Sequence, residues 1–99
     1  MIRHIVLFQL KENFTPTEKK EIMEQFRFGI LALQPRISEI RSIEIGFNVN
    51  TDEHWDICLN SSFDTLSDMH KYATHPLHLS VVNNIKPHLQ GRSCTDYEF

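Results

Sequence analysis

Histidine is the side chain best suited to proton transfer near neutral pH, because an unperturbed imidazole titrates at about 6.5. This sequence has six: His4, His54, His70, His75, His78 and His88. His75 and His78 stand three apart, a spacing found in metal sites. A metal site also needs a third protein ligand and supporting partners, and no H-E-x-x-H motif or thiolate cluster supplies them. No metal or other cofactor is therefore expected. His4 shares a strand face with Val6 and Phe8, where it can serve as a base in a cleft or as a satisfied structural residue. His75 precedes Pro76 and is placed to cap a helical segment starting there. His70 reads as exposed on a helix, His54 sits in a turn and His88 follows Pro87, so these three read as solvated.

Other chemistries find no residues to carry them. There is no glycine-rich phosphate loop, dinucleotide fingerprint or nucleophile elbow. Cys58 and Cys94 lie in apolar, strand-like stretches without C-x-x-C spacing, which predicts two buried thiols in a reducing compartment. Phe8, Phe26, Trp55 and Phe63 fall at core-facing spacing, as core and pocket wall rather than a stacking platform for bases.

The elements that must position these residues follow from periodicity and punctuation. Residues 2–10 read as a strand rich in Ile, Val, Leu and Phe. Residues 15–34 read as a helix: Thr15 is the N-cap, Pro16 suits the first helical position and Glu18 completes a capping box. Ile22, Met23, Phe26, Ile30 and Leu33 make its apolar stripe, and Pro35 ends it. Residues 39–49 alternate as a half-buried strand, with Ile43, Ile45, Phe47 and Val49 on one face. After a polar turn at 50–54, residues 55–63 form a strand with Trp55, Ile57, Leu59 and Phe63 on one face. Asp64 or Thr65 caps a second helix, which His75-Pro76 interrupts, because a residue before proline is pushed out of helical geometry. Pro76 starts a fresh segment that Pro87 closes, and Gly91 turns the chain into a last strand, Ser93 to Glu98.

The order is β-α-β-β-α-β, the split βαβ or ferredoxin-like α+β pattern, with a four-stranded antiparallel sheet under two helices. In the first strand Val6, Phe8 and Leu10 share one parity and Ile5 and Leu7 the other. Helices cover one sheet face, so the second apolar face predicts a homodimer with two sheets facing each other as a barrel.

Length and charge bound the remaining options. The 99 residues fit one domain spanning 1–99, and 40% hydrophobic with 23% charged residues is ordinary globular composition. A net charge of −3 argues against nucleic acid and anionic membrane surfaces as partners. The apolar start is too short for a signal peptide, and nothing approaches the ~20 apolar residues of a membrane span. A cytoplasmic protein is expected.

The chain resembles the stress-responsive dimeric α/β barrel (Dabb) domains. The residues that carry the likeness are Ile2-Arg3-His4-Ile5-Val6-Leu7-Phe8, Ile43-Glu44-Ile45-Gly46, Asp96-Tyr97 and, above all, Tyr72-Ala73-Thr74-His75-Pro76-Leu77-His78, an instance of Y-x-x-H-P-x-H. The resemblance implies the fold, the homodimer and a cavity between sheet and helices. It fixes activity far less, because one scaffold hosts many functions. One plant member, olivetolic acid cyclase, closes a polyketide by aldol condensation with a tyrosine and a histidine that match Tyr72 and His78. Its first-strand histidine is matched by His4, and Ile57 stands where it has a further cavity histidine.

Three functions follow from the resemblance. The first is binding of a small apolar or polyketide-like ligand, with Phe8, Phe26, Ile57 and His75 lining the cavity. The second is a cofactor-independent lyase, cyclase or isomerase with His78 as base, Tyr72 as its partner and His4 beside them. In the third, a structural dimer, Ile57, Phe8, Phe26 and Leu31 fill the space.

Overall fold

The computed structural model describes residues 1–99. Strand β1 (Ile2–Leu10) is followed by helix α1 (Pro16–Leu31), strands β2 (Ser42–Phe47) and β3 (Ile57–Phe63), helices α2 (Leu66–Thr74) and α3 (Pro76–Ile85), a 3₁₀ turn (Lys86–His88) and strand β4 (Leu89–Glu98). The four strands form one antiparallel sheet in the order β2-β3-β1-β4. This is the ferredoxin-like order predicted from the sequence, with the second helix broken in two at His75-Pro76.

Local signals explain most boundaries. The Thr15 hydroxyl accepts from the Glu18 N–H at 3.2 Å, and the Glu18 carboxylate accepts from the Thr15 N–H at 2.8 Å, so the capping box forms. The same contacts hold the Glu18 carboxyl below its ordinary range. α1 stops at Leu31, short of the predicted residue 34, and the chain leaves through turns at Leu33, Arg36 and Ile37. β2 is shorter than the expected 39–49.

Two strand assignments change more. β4 begins at Leu89 rather than Ser93, because Leu89 pairs with Leu10 and Gly91 with Gln9 across a register shift. Trp55 lies outside β3 and outside the core. The Asp56 N–H donates to the Phe8 carbonyl, and the Asp56 carboxylate accepts from the Leu10 N–H at 2.7 Å, so the chain crosses there before pairing begins. Trp55 then packs near Gly91.

Alternation along β1 sorts its side chains. His4, Val6, Phe8 and Leu10 are buried under the helices, while Ile5 and Leu7 on the other face are only half-buried. The core joins these β1 residues to Ile57, Leu59 and Phe63 of β3 and to Phe26, Ile30, Met69, Tyr72 and Ile85 from the helices. α1 and α3 approach closely at Gly29, where an added Cβ would lie 3.2 Å from Val81. Leu31 is 41% exposed and fills no internal space. The thiols are not deeply buried: Cys58 is half-buried on the uncovered sheet face and Cys94 is exposed on β4. No helix is long and apolar enough to cross a membrane.

Candidate functional site

The break between α2 and α3 sets the first part of the site. Pro76 has no N–H to continue the helical ladder, and His75 before it adopts φ −64°, ψ 135°. The His75 Nδ1 then accepts from the Leu77 N–H at 3.1 Å and caps α3, the role its position predicts. With the Leu77 N–H so engaged, His78 reaches back and its Nδ1 lies 2.9 Å from the Ala73 carbonyl oxygen. A carbonyl only accepts, so Nδ1 carries the hydrogen and the neutral ring presents its lone pair on Nε2. Burial pushes the His78 pKa down, with the nearby His4, Arg92 and His75 acting the same way, against an upward pull from the Ala73 contact. His78 is therefore a neutral imidazole at pH 7.

Tyr72 stands in the last part of α2 and is fully buried. Its ring lies 4.4 Å from the His78 ring, 5.1 Å from Phe63 and 6.4 Å from His4 between centroids. Its hydroxyl is the one buried side-chain oxygen or nitrogen without a hydrogen-bond partner. Buried hydroxyls are nearly always paired, so an orphan beside two imidazoles calls for an explanation. Burial pushes the phenol pKa up, so the group keeps its proton and is a donor.

His4 completes the cluster from the sheet. The register between β1 and β4 sets His4 directly opposite Asp96, and the His4 Nδ1–H donates to the Asp96 carboxylate at 2.5 Å. His4 is buried, whereas the Asp96 side chain keeps 28% exposure. The Cys94 sulfur lies 3.6 Å from the His4 Nδ1 and 3.9 Å from the Asp96 carboxylate. Burial and the Asp96 charge both push the Cys94 thiol pKa up.

The structure thus brings His4, Tyr72 and His78 together. It sets Phe8, Phe26 and Ile57 apart from them. Phe8 and Ile57 pair four positions further along β1, roughly 13 Å away at ordinary strand rise. Phe8 and Phe26 pack edge to face at 5.2 Å inside the core. His75 is occupied as a cap. His75 and His78 both use Nδ1 locally, and the one group of three metal-capable side chains is His4, Cys94 and Asp96. His70 and His54 are exposed as expected, but His88 is half-buried with its ring 5.4 Å from Phe14.

The open hollows lie elsewhere. One of about 190 Å³ sits between α1 and α3, lined by Ile22, Phe28, Gly29 and Val81 among others. Two more, of about 320 and 80 Å³, lie on the uncovered sheet face around Leu7, Trp55 and Cys58 and around Ile5, Ser93 and Thr95. None is lined by His4, Tyr72 or His78. Where the resemblance implied a cavity, buried His4 and Tyr72 stand beside a half-buried His78. A neutral base, a phenol donor and a carboxylate-held imidazole around one point can move a proton and hold an oxygen. Asp96 was not singled out from the sequence as a functional residue, because its pairing with His4 joins positions 92 residues apart.

Comparison with known proteins agrees with the fold. No curated protein matches the sequence. Among solved structures, a dimeric ferredoxin-like protein from Bacteroides fragilis is 44% identical, with 99% of this chain and 95% of that one covered at a TM-score of 0.95. A dimeric ferredoxin-like protein from Thermobifida fusca is 24% identical over 99% of this chain and 90% of that one, TM-score 0.84. A hydroxynitrile lyase from Passiflora edulis shares the fold at 17% identity, covering 97% of this chain and 90% of that one, TM-score 0.79. The family model for the stress responsive A/B barrel domain matches residues 2–99, and with the strand order and helix placement described above, the chain belongs to that family.

Proposed function

We propose that this chain works as a homodimer and that the His4–Tyr72–His78 cluster is an acid–base site for a small compound bearing a carbonyl or hydroxyl oxygen. The observation that carries the reading is the Tyr72 hydroxyl, buried without a partner beside the His78 ring. A ligand oxygen accepting from that hydroxyl would satisfy it. In the reaction, the His78 Nε2 takes a proton from carbon next to the carbonyl, and the Tyr72 O–H donates to the oxygen as negative charge grows there. Return of the proton from the His78 imidazolium to the product carbon or leaving group regenerates the neutral ring. The hydrogen bond to Asp96 fixes the orientation of His4 beside the Tyr72 ring. No cofactor is needed for such a step.

A second reading, binding without turnover, shares the same contacts. It is favoured by the burial of His4 and Tyr72, which keeps two of the three groups from solvent. The two are separated by hydrogen–deuterium exchange. Acetone, acetylacetone and short 2-ketones are incubated with the protein in D₂O and followed by NMR. Exchange next to the carbonyl above the buffer rate, lost in His78→Ala, is expected for the enzyme. Line broadening of a probe without exchange, lost in Tyr72→Phe, supports binding alone. Neither effect with any probe contradicts a site of this chemical class.

The dimer reading rests on the uncovered sheet face, where Ile5, Leu7, Trp55 and the 47%-exposed Tyr97 have no covering element. The dimeric description of the Bacteroides fragilis relative supports it. Pairing two such faces about a two-fold axis would bury them together.

A further inference from the structure

We infer that His4, Cys94 and Asp96 form a binding site for a divalent transition-metal ion such as Zn²⁺, at the β4 edge of the sheet. The three donors come from two neighbouring strands. Cys94 and Asp96 are two apart on β4 and so project from the same face, and the β1 register sets His4 opposite Asp96. Their donor atoms all lie within 4.8 Å of one another.

The spacing fits a tetrahedral centre. Bonds of ~2.0 Å to nitrogen and ~2.3 Å to sulfur at a tetrahedral angle separate the two donors by about 3.5 Å. The His4 Nδ1 and Cys94 Sγ stand 3.6 Å apart. A carboxylate oxygen at ~2.0–2.2 Å from the ion belongs about 3.6 Å from the sulfur, and the Asp96 Oδ2 is 3.9 Å from it. Only the 2.5 Å hydrogen bond between His4 and the Asp96 Oδ1 must open, by less than about 1 Å. Asp96 is the partner with room to move, being 28% exposed against 7% for the His4 side chain. The buried imidazole supplies a fixed ligand, and the exposed thiol and carboxylate give an ion its way in.

The donor set selects the class of ion. One nitrogen, one sulfur and one oxygen suit Zn²⁺ or Co²⁺ and do not suit Mg²⁺ or Ca²⁺, which take oxygen ligands. Three protein ligands leave a fourth position for water, the open type of centre. Binding needs a thiolate and a bare Nδ1. The Cys94 S–H proton passes to solvent, and the His4 proton moves to Nε2 as the hydrogen bond to Asp96 is replaced by the metal bond. The site shares His4 with the proposed acid–base cluster, but neither Tyr72 nor His78 is a ligand, so the two readings can be tested apart.

The test is titration of the full chain, stripped with chelator and kept reduced, with Co²⁺ followed by optical absorption and then displaced by Zn²⁺. One ion per chain is expected, with thiolate-to-cobalt charge transfer and tetrahedral ligand-field bands. Cys94→Ser should abolish the charge transfer and weaken binding by at least ~10-fold, as should Asp96→Asn, while Cys58→Ser and Tyr72→Phe leave both unchanged. Cys94→Ser lies on an exposed strand, and its circular dichroism is compared with wild type so that loss of fold is not read as loss of the site. Absence of saturable binding up to millimolar Co²⁺, charge transfer that survives Cys94→Ser, or charge transfer lost in Cys58→Ser overturns the assignment. Because Tyr72→Phe removes the acid–base partner and keeps the metal ligands, failure of one reading leaves the other measurable.

Discussion

Tyr72→Phe removes one oxygen atom and separates a structural role for that atom from a functional one. The Tyr72 hydroxyl is buried and has no hydrogen-bond partner in the structure. Leaving such a group unpaired costs about 1–3 kcal/mol. The phenylalanine ring keeps the packing against Phe63 and His78. The variant is therefore expected to gain stability, by about 1 kcal/mol at the low end of that range. For a domain of this size that raises Tm by roughly 4–8 °C. Urea unfolding followed through the single tryptophan, Trp55, gives the same quantity. Protein concentration must be held fixed, since dimerisation contributes to apparent stability. The same variant should lose the binding and exchange described for the ketone probes. A stabilised variant without function is the signature of a polar group kept for a ligand. Loss of more than about 1 kcal/mol would instead mean that the hydroxyl is a bonded core group, and the site reading would fail.

Three further outcomes follow. Because burial depresses the folded-state pKa of His78 below its ordinary 6.5, its contribution to stability is complete above about pH 6.5. It is lost as pH falls through the folded value, so His78→Gln should lose less stability than wild type on acidification, and parallel acid limbs in urea titrations would contradict this. Leu7→Lys places a charge on the uncovered sheet face and is expected to give a folded monomer by sedimentation velocity; a persisting dimer would put the interface elsewhere. Thr15→Ala breaks the capping box and should cost about 1 kcal/mol with no change in ketone exchange, so a neutral change would mean that the cap adds nothing to α1.

The fold was legible where local rules act alone. The Thr15–Glu18 box, the Pro76 break and the His75 cap follow from residues within a few positions of one another, and the structure contains all three. The two-sided apolar pattern of β1 likewise located the face that the helices leave open. Features set by pairing between distant strands were not legible. Gly91 looks like a turn residue, yet it pairs with Gln9 and extends β4 toward the helices. Trp55 continues the alternation of β3 on paper, but the backbone contact of Asp56 with Phe8 ends the strand before it.

The candidate site divides in the same way. Tyr72 and His78 lie in one short motif that the family resemblance singles out. The Asp96 contact with His4 depends on the β1–β4 register, which no local pattern encodes. Phe8, Phe26 and Ile57 were expected as cavity wall on the strength of their apolar character. That character marks burial and not the end of the sheet at which a residue is buried, and these three gather away from Tyr72.

The central claim is that His78 is a neutral imidazole with its proton on Nδ1 and a bare Nε2 beside the Tyr72 phenol. Nitrogen-15 NMR of the histidine rings across a pH titration measures both tautomer and pKa. The account predicts the Nδ1–H tautomer at pH 7 and a midpoint below 6.5 for His78. An Nε2–H tautomer, or a midpoint above that value, would contradict it and remove the base from the proposed reaction.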